Sequence, residues 1–110
     1  MEYHYKNKYK IIWSQSFKLE LKRIYNYMFF NINEPYIAQQ LQSKIITSLY
    51  SLRTFPERYP KIRNYSSRKN LNIRKLLIEN YIIIYEVDIN LSPVFILHIF
   101  HGTQNYLNLL

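Results

Sequence analysis

The sequence predicts an α+β domain in which a helical hairpin packs on one face of a mainly antiparallel sheet. Three observations predict it: a short apolar run that stops at Ser14-Gln15-Ser16, two amphipathic segments parted at Asn31-Ile32-Asn33, and three β-like runs crowded toward the C-terminal end.

The first run, Tyr9 to Trp13, reads Tyr-Lys-Ile-Ile-Trp and has the character of a strand, and the serine after it can accept the first free N–H groups of a helix. From Ser16 to about Asn31, apolar residues recur at Phe17, Leu21, Ile24 and Met28, while Lys18, Lys22 and Arg23 fall on the other side. This predicts one amphipathic helix. Glu34-Pro35 opens a second, because proline is tolerated in a first helical turn. Its expected buried stripe is Ile37, Leu41, Ile45, Leu49 and Leu52, and Pro56 ends it near Arg53-Thr54-Phe55 by disfavouring helical geometry in the preceding residue. So short a connection makes the two helices an antiparallel hairpin.

Phe55 to Leu71 carries two prolines, a Ser-Ser pair and a run of cations, and is expected to be an exposed connecting loop. Three strands follow: Ile73 to Ile78, Tyr81 to Val87 and Val94 to Phe100. The first two are joined by a tight Glu79-Asn80 turn and the last two by Asp88 to Pro93. A single helical hairpin covers one face of such a sheet, so the other face is expected to be open and concave for a partner.

At 110 residues and 48% apolar content, residues 1–110 are expected to form a single domain. The net charge of +8 and the pI near 9.7 imply a basic face suited to a polyanion or an acidic protein. No cysteine is present, so neither disulfides nor thiolate-bound metal enter the fold. The apolar runs are far below the roughly 18 to 20 residues that span a bilayer, and the start, Met1 to Lys6, is polar. A cytoplasmic protein without a membrane segment is the expectation.

For chemistry, the loop that holds Arg58, Lys61, Arg63, Arg68 and Lys69 interleaves cations with Tyr59 and Tyr65, a pattern that suits single-stranded RNA and equally suits a solvated loop. Arg74 and Lys75 follow on a strand, where a guanidinium could hold a phosphate gaining charge or simply protect a sheet edge. His98 and His101 are three residues apart, which sends them to opposite faces of an extended strand and argues against a shared metal site. If the helices cover Phe95, Leu97 and Ile99, His98 shares the open face with Val94, Ile96 and Phe100; swapping the faces reverses that assignment. Glu20, Glu79, Glu86 and Asp88 show no paired-carboxylate spacing, and no glycine-rich phosphate loop or nucleophile elbow occurs. No cofactor or metal is expected.

The element order and four local strings together resemble the RelE/ParE toxin superfamily of type II toxin-antitoxin systems. The strings are Tyr9-Lys10-Ile11-Ile12-Trp13-Ser14, Ser51-Leu52-Arg53-Thr54-Phe55-Pro56, Asn80 to Val87, and Val94 to Gly102, and the likeness runs from about Tyr9 to Asn105. The resemblance implies a growth-inhibiting toxin of the kind that stabilises plasmids, neutralised by a cognate acidic antitoxin and touching operator DNA only through the antitoxin complex. Some members of the superfamily cut mRNA on the ribosome without a metal; others poison DNA gyrase. In the first branch the resemblance implies His101, Arg74 and Tyr106 as catalytic residues, with Lys61 and Arg63 supplying phosphate charge; the basic pattern of the loop and strand adds Arg58, Arg68, Lys69 and Lys75 as expected RNA-phosphate contacts. Ribosome-dependent mRNA cleavage is the leading expectation, and gyrase inhibition without nuclease activity the alternative. One departure bears on the choice: Ile82 follows Tyr81 where ribonuclease members place an arginine on the scissile phosphate.

Overall fold

The computed structural model describes residues 8–62, 72–88 and 90–102. Strand β1 (Lys10–Trp13) runs directly into helix α1 (Gln15–Asn26), and Ser14 marks the junction. The Ser14 Oγ accepts the Phe17 N–H at 3.0 Å and donates to the Leu97 carbonyl at 2.7 Å, so one hydroxyl caps the helix and ties it to the sheet. A π-helical turn, Tyr27–Asn31, follows α1, and helix α2 (Pro35–Ser51) returns after it. The expected single helix to Asn31 thus changes pitch at Tyr27. The wider turn keeps Met28 buried with Phe17 and Leu21 while Phe29 and Phe30 remain exposed.

Strands β2 (Asn72–Ile78), β3 (Tyr81–Val87) and β4 (Pro93–His101) form an antiparallel meander. The sheet order is β1-β4-β3-β2, and β1 lies parallel to β4. The fold class read from the sequence therefore holds, with one parallel pair in the mainly antiparallel sheet. Glu79 takes a φ of 52° in the two-residue turn between β2 and β3. In the β3–β4 connection, the Asp88 carboxylate accepts the Leu91 N–H at 3.1 Å and Ser92 takes a φ of 67°.

The main core lies between the helices and the sheet. Phe17, Leu21, Ala38, Leu41, Ile45, Leu49 and Leu52 meet Leu76, Ile83, Tyr85, Val94, Ile96 and Ile99 there. Ala38 takes the buried place expected for Ile37, which is 46% exposed.

The opposite face is not the bare surface expected. Ile73, Ile84 and Phe100 form a second buried cluster with Ile62, Ile82 and Leu97 packed against it. Its existence follows from β4, where the register slips: Ile84 pairs with His98 while Tyr85 pairs with Ile96, so Leu97 is an extra residue. That bulge reverses the alternation midway along the strand. Val94 and Ile96 before it, and Ile99 after it, all face the helices, whereas His98 and Phe100 turn to the other side.

Candidate functional site

Arg74 lies at the outer edge of the sheet on β2, facing the helix side opposite Tyr85. Its guanidinium donates to the Tyr59 carbonyl at 2.6 Å, to the Glu57 carbonyl at 3.1 Å and, through Nε, to Asn72 Oδ1 at 2.9 Å. The Glu57 carboxylate lies at 3.4 Å. With 12% of its side chain exposed, Arg74 is committed to the loop after α2. Tyr85 reaches the same loop from below, its hydroxyl donating to the Pro56 carbonyl at 2.7 Å. Lys61 makes an antiparallel bridge to Arg74, and the Ile62 and Lys75 N–H groups donate to Ile73 and Pro60, so this loop shields the β2 edge.

Arg58 is exposed near the rings of Phe55 and Tyr59, with centroid distances of 6.0 and 5.6 Å. Lys75 stands on the sheet face opposite Arg74. His101 ends β4, exposed, its ring edge-on to Tyr81 at 5.4 Å. It shares the helix face with Arg74, but the register separates the two by four residues along β3 and two strand spacings, on the order of 16 Å. The Arg74 guanidinium is turned to the loop carbonyls instead. Arg63, Arg68, Lys69 and Tyr106 lie outside the described residues.

A different pair is brought together. Glu20 on α1 accepts the Ile99 N–H at 2.9 Å and meets His98 Nδ1 at 3.0 Å. Beyond Trp13, β4 has no pairing with β1, and the Glu20 carboxylate supplies the acceptor that a neighbouring strand would have given. His98 also stacks on Phe100, with centroids 5.2 Å apart. Sequence spacing held no signal for this contact, since 78 residues separate the partners. Glu20→Ala is expected to leave the Ile99 amide unsatisfied and to cost about 1–3 kcal/mol, read by denaturant unfolding. An unchanged midpoint would show that water replaces the carboxylate without penalty.

Burial shapes the tyrosines. The hydroxyl of Tyr25 is enclosed without a partner among the described residues, and burial pushes its pKa up to about 12. Burial likewise pushes Tyr85 up to about 12, against the lowering influence of Arg74. Both groups are neutral in the folded state at pH values where unfolded tyrosine ionises. Their contribution to stability is therefore complete below pH 10 and is lost as pH rises from 10 toward 12. Tyrosinate absorbance should show Tyr25 and Tyr85 titrating late, together with unfolding. Tyr85→Phe should weaken that alkaline loss.

Among the described residues no group of three His, Cys, Asp or Glu side chains could hold a metal ion, and no helix is long and apolar enough to cross a membrane. A groove of about 510 Å³ opens between β1 and α2, lined by Tyr9, Ile11, Trp13, Ile46, Leu49 and Tyr50 together with Lys8, Lys10 and Arg53.

Residues 11–106 match the family model of the ParE toxin of the type II toxin-antitoxin system parDE. Among solved structures the chain is similar to one of a chromosomal ParDE toxin-antitoxin system from P. aeruginosa, with 16% identity and a TM-score of 0.66 over 86% of this chain and 97% of the other. It is also similar to a chain of the RelBE2 toxin-antitoxin complex of Mycobacterium tuberculosis, with 16% identity and a TM-score of 0.57 over 88% and 94%. No curated protein matches the chain significantly.

Proposed function

The chain belongs to the ParE toxins of type II toxin-antitoxin systems, and from that premise we propose that it arrests growth by binding DNA gyrase rather than by cutting RNA. The observation that carries this reading is the use of Arg74. The guanidinium expected to hold a scissile phosphate is spent on the carbonyls of Glu57 and Tyr59, and its backbone position lies on the order of 16 Å from that of His101. Ile82, in the place of the other expected arginine, packs against the second apolar cluster. Cleavage needs a base, an acid and a charge-stabilising group around a single phosphate. His101, Arg74 and Ile82 do not assemble that arrangement.

Neutralisation falls to a cognate acidic antitoxin, which the net charge of +8 would attract quickly. The test is brief induction from a tightly repressed promoter. Gyrase-DNA cleavage complexes and a DNA-damage response should accumulate while transcripts stay intact, and His101→Ala should arrest growth as the parent does. New transcript 5' ends within translated codons, lost in His101→Ala, would return the assignment to ribosome-dependent mRNA cleavage.

A further inference from the structure

The end of the helical hairpin is an exposed apolar surface drawn together by the π-helical turn. The Ile32 N–H donates to the Tyr27 carbonyl at 3.2 Å and the Glu34 N–H to the Met28 carbonyl at 2.8 Å, so residues 27–34 fold back on one wide turn before α2 starts at Pro35. Met28 turns into the core. Tyr27, Phe30 and Ile32, with Tyr36 and Ile37 from the first turn of α2, stay in solvent, Phe30 at 80% and Tyr36 at 68% exposure. Between Arg23 and Lys44 the only charged residue is Glu34, although the chain carries 15 lysines and arginines. On a chain of net charge +8, such a surface offers a second copy an approach that carries no cation of its own.

We propose that two copies of this chain associate through the hairpin end, about a two-fold axis that sets Phe30 and Ile32 of one copy against Tyr36 and Ile37 of the other. A self-complementary patch of this kind closes as a dimer. At roughly 150–250 Å² for a fully buried aromatic side chain, the five residues at their exposures supply several hundred Å² per copy, a large share of the about 800 Å² that each partner of a stable dimer buries. Glu34, exposed on the same end, falls at the rim, where a carboxylate keeps its water. Helix α2 has 17 residues, so at a rise of 1.5 Å per residue the basic loop that follows it stands about 25 Å from the contact. That is several times the screening length of about 8 Å at physiological salt, and the cations of the two loops scarcely oppose association. An acidic protein, a nucleic acid and an anionic membrane are each drawn by cations, which this stretch lacks. The association does not depend on the toxin reading and does not involve the basic loop of either copy.

The test is sedimentation velocity of the full chain from low micromolar to several hundred micromolar. A reversible species of twice the 13.6 kDa chain mass is expected. It should be unchanged or strengthened as salt rises from about 0.15 to about 0.5 M, since screening relieves the mutual repulsion of the two basic chains. Phe30→Asp and Tyr36→Asp should each raise the dimer dissociation constant at least tenfold. Both side chains are exposed, so at low concentration these variants should unfold at the parent's thermal midpoint. Leu91→Asp, at a comparably exposed apolar residue in the β3–β4 connection, should leave the dissociation constant unchanged. A chain that is monomeric throughout, a dimer dissolved by salt, or an equal loss in Leu91→Asp would overturn the proposal. Binding of polyglutamate or of phosphatidylglycerol vesicles by a chain that stays monomeric, abolished by Phe30→Asp, likewise overturns it and assigns the hairpin end to an acidic protein or to a lipid surface.

Discussion

Arg74→Ala is expected to lower stability by about 2–4 kcal/mol, because it deprives the Glu57 and Tyr59 carbonyls of a charged donor and removes a side-chain anchor that holds the loop beside Tyr85. For a domain of this size that is a fall in thermal midpoint of roughly 10–15 °C. Arg74→Lys should recover little of it, since an ammonium cannot reproduce a fork that reaches two carbonyls and the Asn72 amide oxygen together. The pair of variants separates two roles. A guanidinium serving as an anchor gives a large loss of midpoint in both proteins and a loss of toxicity that tracks the folded fraction. A guanidinium serving RNA gives midpoints near the parent value, with toxicity abolished by alanine and partly kept by lysine. The first pattern is expected.

The elements were legible because their signals are local. Ser14 sits where a cap is needed, Pro35 where a helix opens, and Glu79-Asn80 where two strands turn, and each acts within a few residues. What escaped depends on contacts distant in sequence. Ile37 and Ala38 are equally plausible for a helical stripe, and only the tertiary packing decides that Ala38 is the buried one. The bulge at Leu97 is invisible to periodicity, because the run Val94 to Phe100 is apolar on both faces. Strict alternation therefore gave no single answer for His98, which shares a face with Phe100 but not with Val94 or Ile96.

The site was less legible than the fold for a related reason. Arginine, lysine and tyrosine carry the same letters whether they hold a phosphate or a carbonyl. Arg74 shows the second use through three hydrogen bonds to atoms 2, 15 and 17 positions away. Glu20 shows the reverse error: an acid with no paired partner in sequence becomes the acceptor for an unpaired strand edge. The β1 groove depends on a parallel pairing between strands some 80 residues apart, which a local pattern cannot specify.

Phe17→Ala is expected to have the largest effect of any single change considered, about 3–5 kcal/mol, because the ring is fully buried where α1 leaves the sheet. Its amide is the one capped by Ser14, and its ring meets Trp13 edge to face at 5.1 Å. The same side chain therefore fixes the start of the helix against the core and backs the indole that lines the groove. Removing it should do two separable things: lower the midpoint by roughly 15–20 °C, and release Trp13 so that its emission moves to the red in the protein that remains folded. Phe17→Leu should restore most of the stability, since it refills the volume, yet restore less of the Trp13 environment, since it lacks the ring edge. A leucine variant with parental Trp13 emission would show that the indole needs no aromatic support.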